Sequence, residues 1–159
     1  MKRPIIGFCL VLLVGYALVG LLNLPTFNVV LLKFRGFCRL CDLTNANLEA
    51  IDLHGADLYS ATLTGANLSG GNLAGVNLTG ANLSGANLIG ANLRAANPAV
   101  AMLTEVNLAG VDLSAANLAG VDLSEADLSE ADLSEANLTG TTFCKTAMPG
   151  GELNNASCD

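Results

Sequence analysis

The sequence predicts an all-β fold, a four-sided β-solenoid of about six coils, and three regularities lead to this prediction. Leucine recurs at every fifth position from 43 to 158, and the series is interrupted only by Pro98, Phe143, Met148 and Cys158. A small residue stands two places before each of these positions, and Asn or Asp usually stands one place before it, as in Ala81-Asn82-Leu83. Two places after it the chain commonly has Gly, Ala or Glu.

A repeat of five residues fits neither an α-helix nor a flat strand. In a helix successive leucines would move by about 140° around the axis, and in a strand they would alternate between faces. Each repeat must therefore contain a bend, and bends of about 90° close a coil after four repeats. Residues twenty apart then become vertical neighbours about 4.8 Å apart. Ile51, which is large, would lie over Gly71, as expected of a close-packed interior.

Pro98 occupies a leucine position but has no N–H to donate to a neighbouring coil. The repeat continues on both sides of it, because Leu93 and Leu103 stay in register. We expect a local bulge here, and the alternative is a kink that faces a partner.

The charges divide the chain into two parts. Five of the seven basic residues lie within residues 1–39, which hold no acid, whereas residues 40–159 hold all fourteen acids against Arg94 and Lys145. Duplex binding requires clustered Lys and Arg, so we expect no nucleic-acid partner. No base accompanies the many Ser and Thr residues, and the single histidine, His54, takes an outward position. We therefore expect no catalytic residues, no cofactor and no metal.

Residues 1–24 predict a membrane or export signal. Lys2 and Arg3 precede the apolar stretch Ile5–Leu22, whose length of about 18 residues is the lower limit for a membrane-spanning helix. One interpretation is an uncleaved signal anchor that ends at Pro25, and the other is a signal peptide cleaved near Ala17. Basic residues flank the stretch on both sides, so the orientation stays open. Residues 25–40 then predict an N-terminal cap with a short amphipathic helix over the first coil.

The A-(D/N)-L-x-x pattern resembles the pentapeptide-repeat family over about three quarters of the chain. The resemblance implies a right-handed quadrilateral β-solenoid, here over residues 41–142, with a C-terminal cap over residues 143–159. Both ends are similar to exported or lumenal members from photosynthetic bacteria. Those members begin the repeats with C-x-x-C-D-L, here from Cys38 to Leu43, and end with C-x-T-x-M-P-x-G and a further cysteine, here from Cys144 onward with Cys158.

Four cysteines lie in two groups at the two ends of the predicted solenoid. Cys41 belongs to the first coil and Cys144 to the sixth, about 24 Å apart, which is too far for one zinc site or for an end-to-end disulfide. Local pairs remain, Cys38–Cys41 and Cys144–Cys158, and the alternative is four reduced thiols. Disulfides persist in oxidising compartments, so the pairs favour a periplasm or a thylakoid lumen.

Acidic residues concentrate in and around the fifth coil. The candidate interaction patch comprises Glu105, Asp112, Asp122, Glu125, Asp127, Glu130, Asp132 and Glu135. Stacking predicts that Glu105 lies above Glu125, that Asp112 and Asp132 share a column with Glu152, and that Lys145 lies below Glu125. The patch is either a solubilising surface or a docking site for an unknown, basic protein partner.

Together these observations favour a non-enzymatic structural or protein-interaction module, exported and tethered to a membrane by its N-terminal segment. The alternative is a cytoplasm-facing DNA mimic. Its carboxylates would imitate phosphates and bind a basic nucleic-acid enzyme such as gyrase, as the resemblance implies for some members of the family.

Overall fold

The computed structural model describes residues 37–158, and over these residues the backbone winds into a β-solenoid. Residues twenty apart pair in parallel, from Phe37 with Asp57 to Asp127 with Ala147. The predicted stacking of twenty-residue coils is therefore confirmed.

Each coil has four sides, which we number in the order in which the chain forms them. Every side spans five residues and repeats twenty residues later. Side 1 is centred on Leu58, side 2 on Leu63, side 3 on Leu68 and side 4 on Leu73, and the same sides recur twenty residues before and after these positions.

Two backbone hydrogen bonds join each residue pair. The N–H of Leu48 donates to the carbonyl of Asn67 at 2.7 Å, and the N–H of Asn67 donates to the carbonyl of Ala46 at 2.9 Å. Because each coil bonds to the next, the ladder satisfies backbone groups that would otherwise be buried without partners.

The corners between sides account for the polar residues of the repeat. The N–H of Ala46 donates to the carbonyl of Leu43 at 3.0 Å, which closes a four-residue turn whose third residue, Asn45, has a φ of 54°. A positive φ at this place is typical of a type II turn and favours Gly or Asn. One residue before each leucine, the Asn or Asp side chain commonly accepts a bond from the backbone N–H two residues on, as Asn82 does from Ser84 at 3.0 Å.

The leucines and the small residues two places before them fill the interior, as predicted. Leu68 and Leu128 are fully buried, and Ala66 is buried beside Leu68. Gly71 lies next to Ile51 in the neighbouring coil, as predicted. A Cβ at Gly71 would lie 3.0 Å from the carbonyl oxygen of Leu68 and 3.3 Å from that of Ile51. The backbone, more than the Ile51 side chain, leaves no room at this position.

The bulge expected at Pro98 is not present. Pro98 is buried at a leucine position and keeps the register, with the Ala101 N–H donating to its carbonyl at 2.8 Å. Within residues 37–147, the pairing of Asn97 with Asn117 is the one gap in the series. The Asn117 N–H still donates to the carbonyl of Ala96 at 2.9 Å. Proline thus costs one hydrogen bond, and the stacked neighbours hold the coil in place.

The two ends differ from the expected caps. Residues 37–40, assigned to the N-terminal cap, already follow the solenoid register, because Phe37 pairs with Asp57. At the other end a short hairpin forms from β1, Thr146–Ala147, and the antiparallel β2, Leu153–Asn154. Glu152 lies in this hairpin, where its carbonyl accepts from the N–H of Met148 at 2.9 Å, so the column predicted to join it to Asp132 does not continue as a ladder.

The predicted hydrophobic helix and the capping helix fall within residues 1–36, outside the described residues. Over residues 37–158 the structure contains no helix with the length and apolar character needed to cross a membrane.

Candidate interaction surface

The eight predicted acidic residues, which we call the acidic band, wrap around three sides of the solenoid. They occupy side 2 and its corner (Asp122, Glu105, Glu125), side 3 and its corner (Asp127, Glu130), and side 4 and its corner (Asp112, Asp132, Glu135). Six of them belong to one coil, residues 121–140, so the band is closer to a belt than to one flat face.

Vertical stacking brings some of these carboxylates together. Asp112 pairs with Asp132 across adjacent coils, as the column predicts. The Glu105 N–H donates to the carbonyl of Ser124 at 2.9 Å, which places Glu105 one coil above Glu125. Lys145 donates from Nζ to Glu125 Oε1 at 3.0 Å, as predicted. The belt is therefore partly neutralised by Lys145 on side 2 and has no basic residue beside it on side 3.

Local hydrogen bonds keep two aspartates of the band ionised. The hydroxyl and the backbone N–H of Ser129 lower the pKa of Asp127, and those of Ser134 lower the pKa of Asp132. Arg94 adds a weaker attraction that lowers the pKa of Asp132 further. Because these donors favour the charged form, both side chains stay charged at a lower pH than an ordinary Asp does.

The four glutamates of the band stand at corner positions with unusual backbone geometry. Glu105, Glu125, Glu130 and Glu135 have φ between 56° and 60°, in the left-handed region. Gly110 and Gly90 occupy the same corner as Glu130 in the coils above it. A residue with a Cβ costs about 1 kcal/mol more than Gly in this conformation, so the fold alone does not favour glutamate here.

The predicted cysteine pairs are disulfides in the structure. Cys38 and Cys41 are joined with a Cα–Cα distance of 5.4 Å, and Cys144 and Cys158 with one of 4.8 Å. The first pair ties the entry of the chain into the solenoid, and the second fastens the hairpin to the last coil. Both bonds therefore restrain an end of the rod, where stacked coils would otherwise open.

The described residues offer no evident metal site. Within residues 37–158, no three His, Cys, Asp or Glu side chains are grouped so that they could hold a metal ion. His54 is exposed on side 4, as predicted, and its N–H donates to Asp52 Oδ1 at 3.2 Å.

The sequence analysis missed the contrast between side 1 and the other three sides. Side 1 carries Arg39 and Asp57, which lie 3.5 Å apart from Nε to Oδ2, and Arg39 also stacks over the ring of Tyr59 at 4.7 Å. From residue 60 to residue 140 this side has no charged residue. Comparing residues twenty apart, side by side, would have revealed it.

Comparisons with known proteins agree with the repeat geometry. The family model for pentapeptide repeats matches residues 41–80, 81–120 and 107–144, in eight copies. A search of curated proteins finds no match.

Several solved structures are similar to this chain. A pentapeptide repeat protein (Rfr23) from the cyanobacterium Cyanothece 51142 is 28% identical, covers 78% of this chain and 96% of its own, and gives a TM-score of 0.47. HetL from the cyanobacterium Nostoc is 29% identical over 74% of this chain and 76% of its own, with a TM-score of 0.34. A pentapeptide repeat protein from the Arabidopsis thaliana thylakoid lumen is 30% identical over 60% of this chain and 67% of its own, with a TM-score of 0.35.

Proposed function

Because the chain belongs to the pentapeptide-repeat family, we propose that it is a non-enzymatic interaction module, exported and tethered to a membrane by residues 1–24, that docks a basic protein partner on its acidic band. The observation that carries this proposal is that the surface becomes acidic in residues 121–140 while the pairing of the backbone between coils stays the same. The coil of residues 121–140 keeps the pairing of the coils above it but carries six acids, whereas residues 101–120 carry only Glu105 and Asp112 and residues 61–100 carry none.

Vertical neighbours make this change explicit. Asn107 stands over Asp127, Gly110 over Glu130 and Ala115 over Glu135. Leu123 and Leu128 are buried like Leu103 and Leu108 above them, so the packing beside Asp127 does not require an acid. Like charges this close repel, and the belt is retained despite that cost, which supports a role in attracting a basic surface.

The two disulfides support export. They sit at opposite ends of the rod and close loops of different length, with sequence separations of 3 and 14 residues. Such bonds form and persist in oxidising compartments and are rare in a reducing cytosol. The basic and apolar residues 1–24 supply a means of reaching such a compartment.

Thiol labelling of the full chain in a bacterial host tests the location. Intact cells with a permeabilised outer membrane are treated with a membrane-impermeant maleimide, with and without prior reduction. The membranes are then fractionated. We expect the chain in the membrane fraction, with Cys38, Cys41, Cys144 and Cys158 labelled only after reduction. Thiols that react only once the inner membrane is broken would place the domain in the cytoplasm and contradict export.

Binding of basic proteins tests the acidic band. The native chain is compared with a variant carrying Asp127→Asn, Glu130→Gly, Asp132→Asn and Glu135→Gly, and with a control carrying Glu49→Gln and Asp52→Asn in the first coils. We expect a salt-sensitive basic partner to bind the native chain and the control but not the band variant. Equal binding by all three would reject the band as the docking surface and leave it a solubilising surface.

The same labelling experiment decides the alternative function. Freely labelled cysteines in a cytoplasmic domain, together with binding to a nucleic-acid enzyme that DNA competes away, would support a DNA mimic. The belt arrangement of the carboxylates favours that function less, because an imitation of a phosphate backbone calls for rows along one face.

A further inference from the structure

Side 1, whose two charges cancel, carries several exposed apolar residues. Leu40 and Val100 are exposed by 74% and 62% at the corner that leads from side 1 to side 2. Phe37 and Tyr59 add exposed aromatic rings beside the pair of Arg39 and Asp57. We call Phe37, Leu40, Tyr59 and Val100 the side 1 strip. Elsewhere in the described residues the exposed large apolar side chains are Met102 on side 2, which pairs with Asp122, Ile89 on side 3, and Leu153 in the C-terminal hairpin.

The surroundings of the strip are neutral and have short side chains. In the coils below Tyr59, the outward positions of side 1 hold only Asn, Thr, Ser, Ala, Gly and Val. Their Asn side chains bond to one another along the rod, as Asn117 Nδ2 does to Asn97 Oδ1 at 3.0 Å and Asn137 Nδ2 to Asn117 Oδ1 at 3.1 Å. Their amides are thus partly satisfied within the protein, which lowers the cost of losing water from this side.

Val100 supports the view that the strip is not a product of the fold. It is β-branched yet has a φ of 52°, and Gly80 and Gly120 occupy the same corner in the coils on either side. A Cβ at Gly120 would lie 3.2 Å from Val100 Cγ1, so the neighbouring corner has little room to spare beside this side chain. A strained, exposed valine is better explained by what it contacts than by folding stability.

We propose that side 1 lies flat on the lipid bilayer, with the side 1 strip at the level of the lipid head groups. The proposal rests on the tethering proposed above and adds the orientation of the domain. The chain enters side 1 at Phe37, directly after residues 1–36 with their apolar stretch, Lys33 and Arg35. Residues 25–36 reach about 40 Å at most when extended, so the tether keeps the domain beside the membrane.

Charge selects the side that can approach. Sides 2, 3 and 4 each carry a net negative charge and would be repelled by anionic lipids, whereas on side 1 Arg39 and Asp57 cancel. Aromatic rings and an arginine at the edge of an apolar strip suit the interface between lipid and water. In this orientation side 3, which lies opposite side 1, points away from the membrane, and its Asp127 and Glu130 stay open to a partner.

Tryptophan fluorescence tests the orientation, because the chain contains no Trp. Full-length variants Tyr59→Trp, Val100→Trp and Ile89→Trp are reconstituted into vesicles of phosphatidylcholine with a minor fraction of phosphatidylglycerol. Flotation reports the tether, and quenching by brominated phosphatidylcholine reports docking. We expect quenching several-fold stronger for Tyr59→Trp and Val100→Trp than for Ile89→Trp.

A matched pair of charge variants sharpens the test. Ala119 on side 1 and Ala109 on side 3 occupy the same place in their repeats and are both half-buried. In the Val100→Trp background, Ala119→Glu should abolish the quenching and Ala109→Glu should leave it unchanged.

The outcomes separate the two proposals. Chains that float but show equal or no quenching at the three positions overturn the docking and leave the tether. Chains that do not float overturn both. A blue shift of Val100→Trp that grows with the protein-to-lipid ratio, without quenching by brominated lipid, would mean that a second copy covers side 1 and would also overturn the proposal.

Discussion

The middle coils, residues 61–100, and the fifth coil, residues 121–140, share an interior and differ in their surface. Both pair with the coil above through the same ladder and bury leucines, although Leu133 and Leu138 of the fifth coil are only partly buried and Pro98 replaces one leucine of the middle coils. The middle coils contain no acid and place Gly at most of their corners, whereas the fifth coil carries six acids. The comparison shows that inward positions determine the fold, while outward and corner positions are free to carry function within a tolerance of about 1 kcal/mol per residue.

The largest expected effect tests whether the two interiors are equivalent. Leu68→Asp in the middle coils and Leu128→Asp in the fifth coil should each prevent folding, because both buried sites would receive an unpaired charge. Circular dichroism and chemical denaturation check this. Thr79→Asp is the outward control. Thr79 donates to Asn77 Oδ1 at 2.7 Å and accepts from Asn97 Nδ2 at 3.0 Å. Because the substitution disturbs these bonds, we expect it to lower the free energy of unfolding by about 1 kcal/mol. A folded Leu128→Asp protein would show that the fifth coil is packed differently.

Removing the C-terminal disulfide should affect the fifth coil more than the middle coils. The Cys144→Ser, Cys158→Ser variant loses a bond with a sequence separation of 14, and we expect its free energy of unfolding to fall by about 3 kcal/mol. Hydrogen exchange should quicken at Ala147 and Ser157 and change little at Leu88. The Cys38–Cys41 bond closes a shorter loop, so the Cys38→Ser, Cys41→Ser variant should lose less free energy of unfolding. A larger loss in this variant would argue against the loop-length explanation.

Exchanging a corner residue between coils tests the cost of the acidic surface. Glu130→Gly should raise the free energy of unfolding by about 1 kcal/mol, because it relieves a φ of 60° and the nearby repulsion. Gly110→Glu, one coil above, should lower it by a similar amount, since a Cβ there has open space and pays only for the backbone. Guanidinium denaturation at neutral pH measures both. Effects of the same sign in the two variants would contradict the assignment to φ.

The smallest expected effect concerns acid. The pKa of Asp127 is lowered in the folded state, so its contribution to stability is complete above the ordinary pKa of about 4 and is lost as the pH falls through the lowered pKa. Asp127→Asn does not titrate and should make stability fall less steeply below about pH 4. Denaturation curves at a series of acidic pH values check the sign, and a steeper fall for Asp127→Asn would refute it.

The sequence was sufficient for the features that follow from local periodicity. A leucine at every fifth position predicted the coil, the stacking of residues twenty apart, the burial of Leu68 and the ion pair of Lys145 with Glu125. The two disulfides followed from placing Cys41 and Cys144 at opposite ends. These predictions succeeded because each depends on the repeat length alone, and every coil applies the same constraint.

What only the tertiary structure decided depends on contacts between coils. Pro98 stays in register because its stacked neighbours make up for one lost hydrogen bond, where local rules favoured a bulge. The last repeats leave the ladder and form a hairpin, in which Thr146–Ala147 pairs with Leu153–Asn154. The neutral character of side 1 also appears only when residues twenty apart are brought together. Sequence periodicity thus determines which side chains point inward, and stacking in three dimensions determines which outward side chains become neighbours.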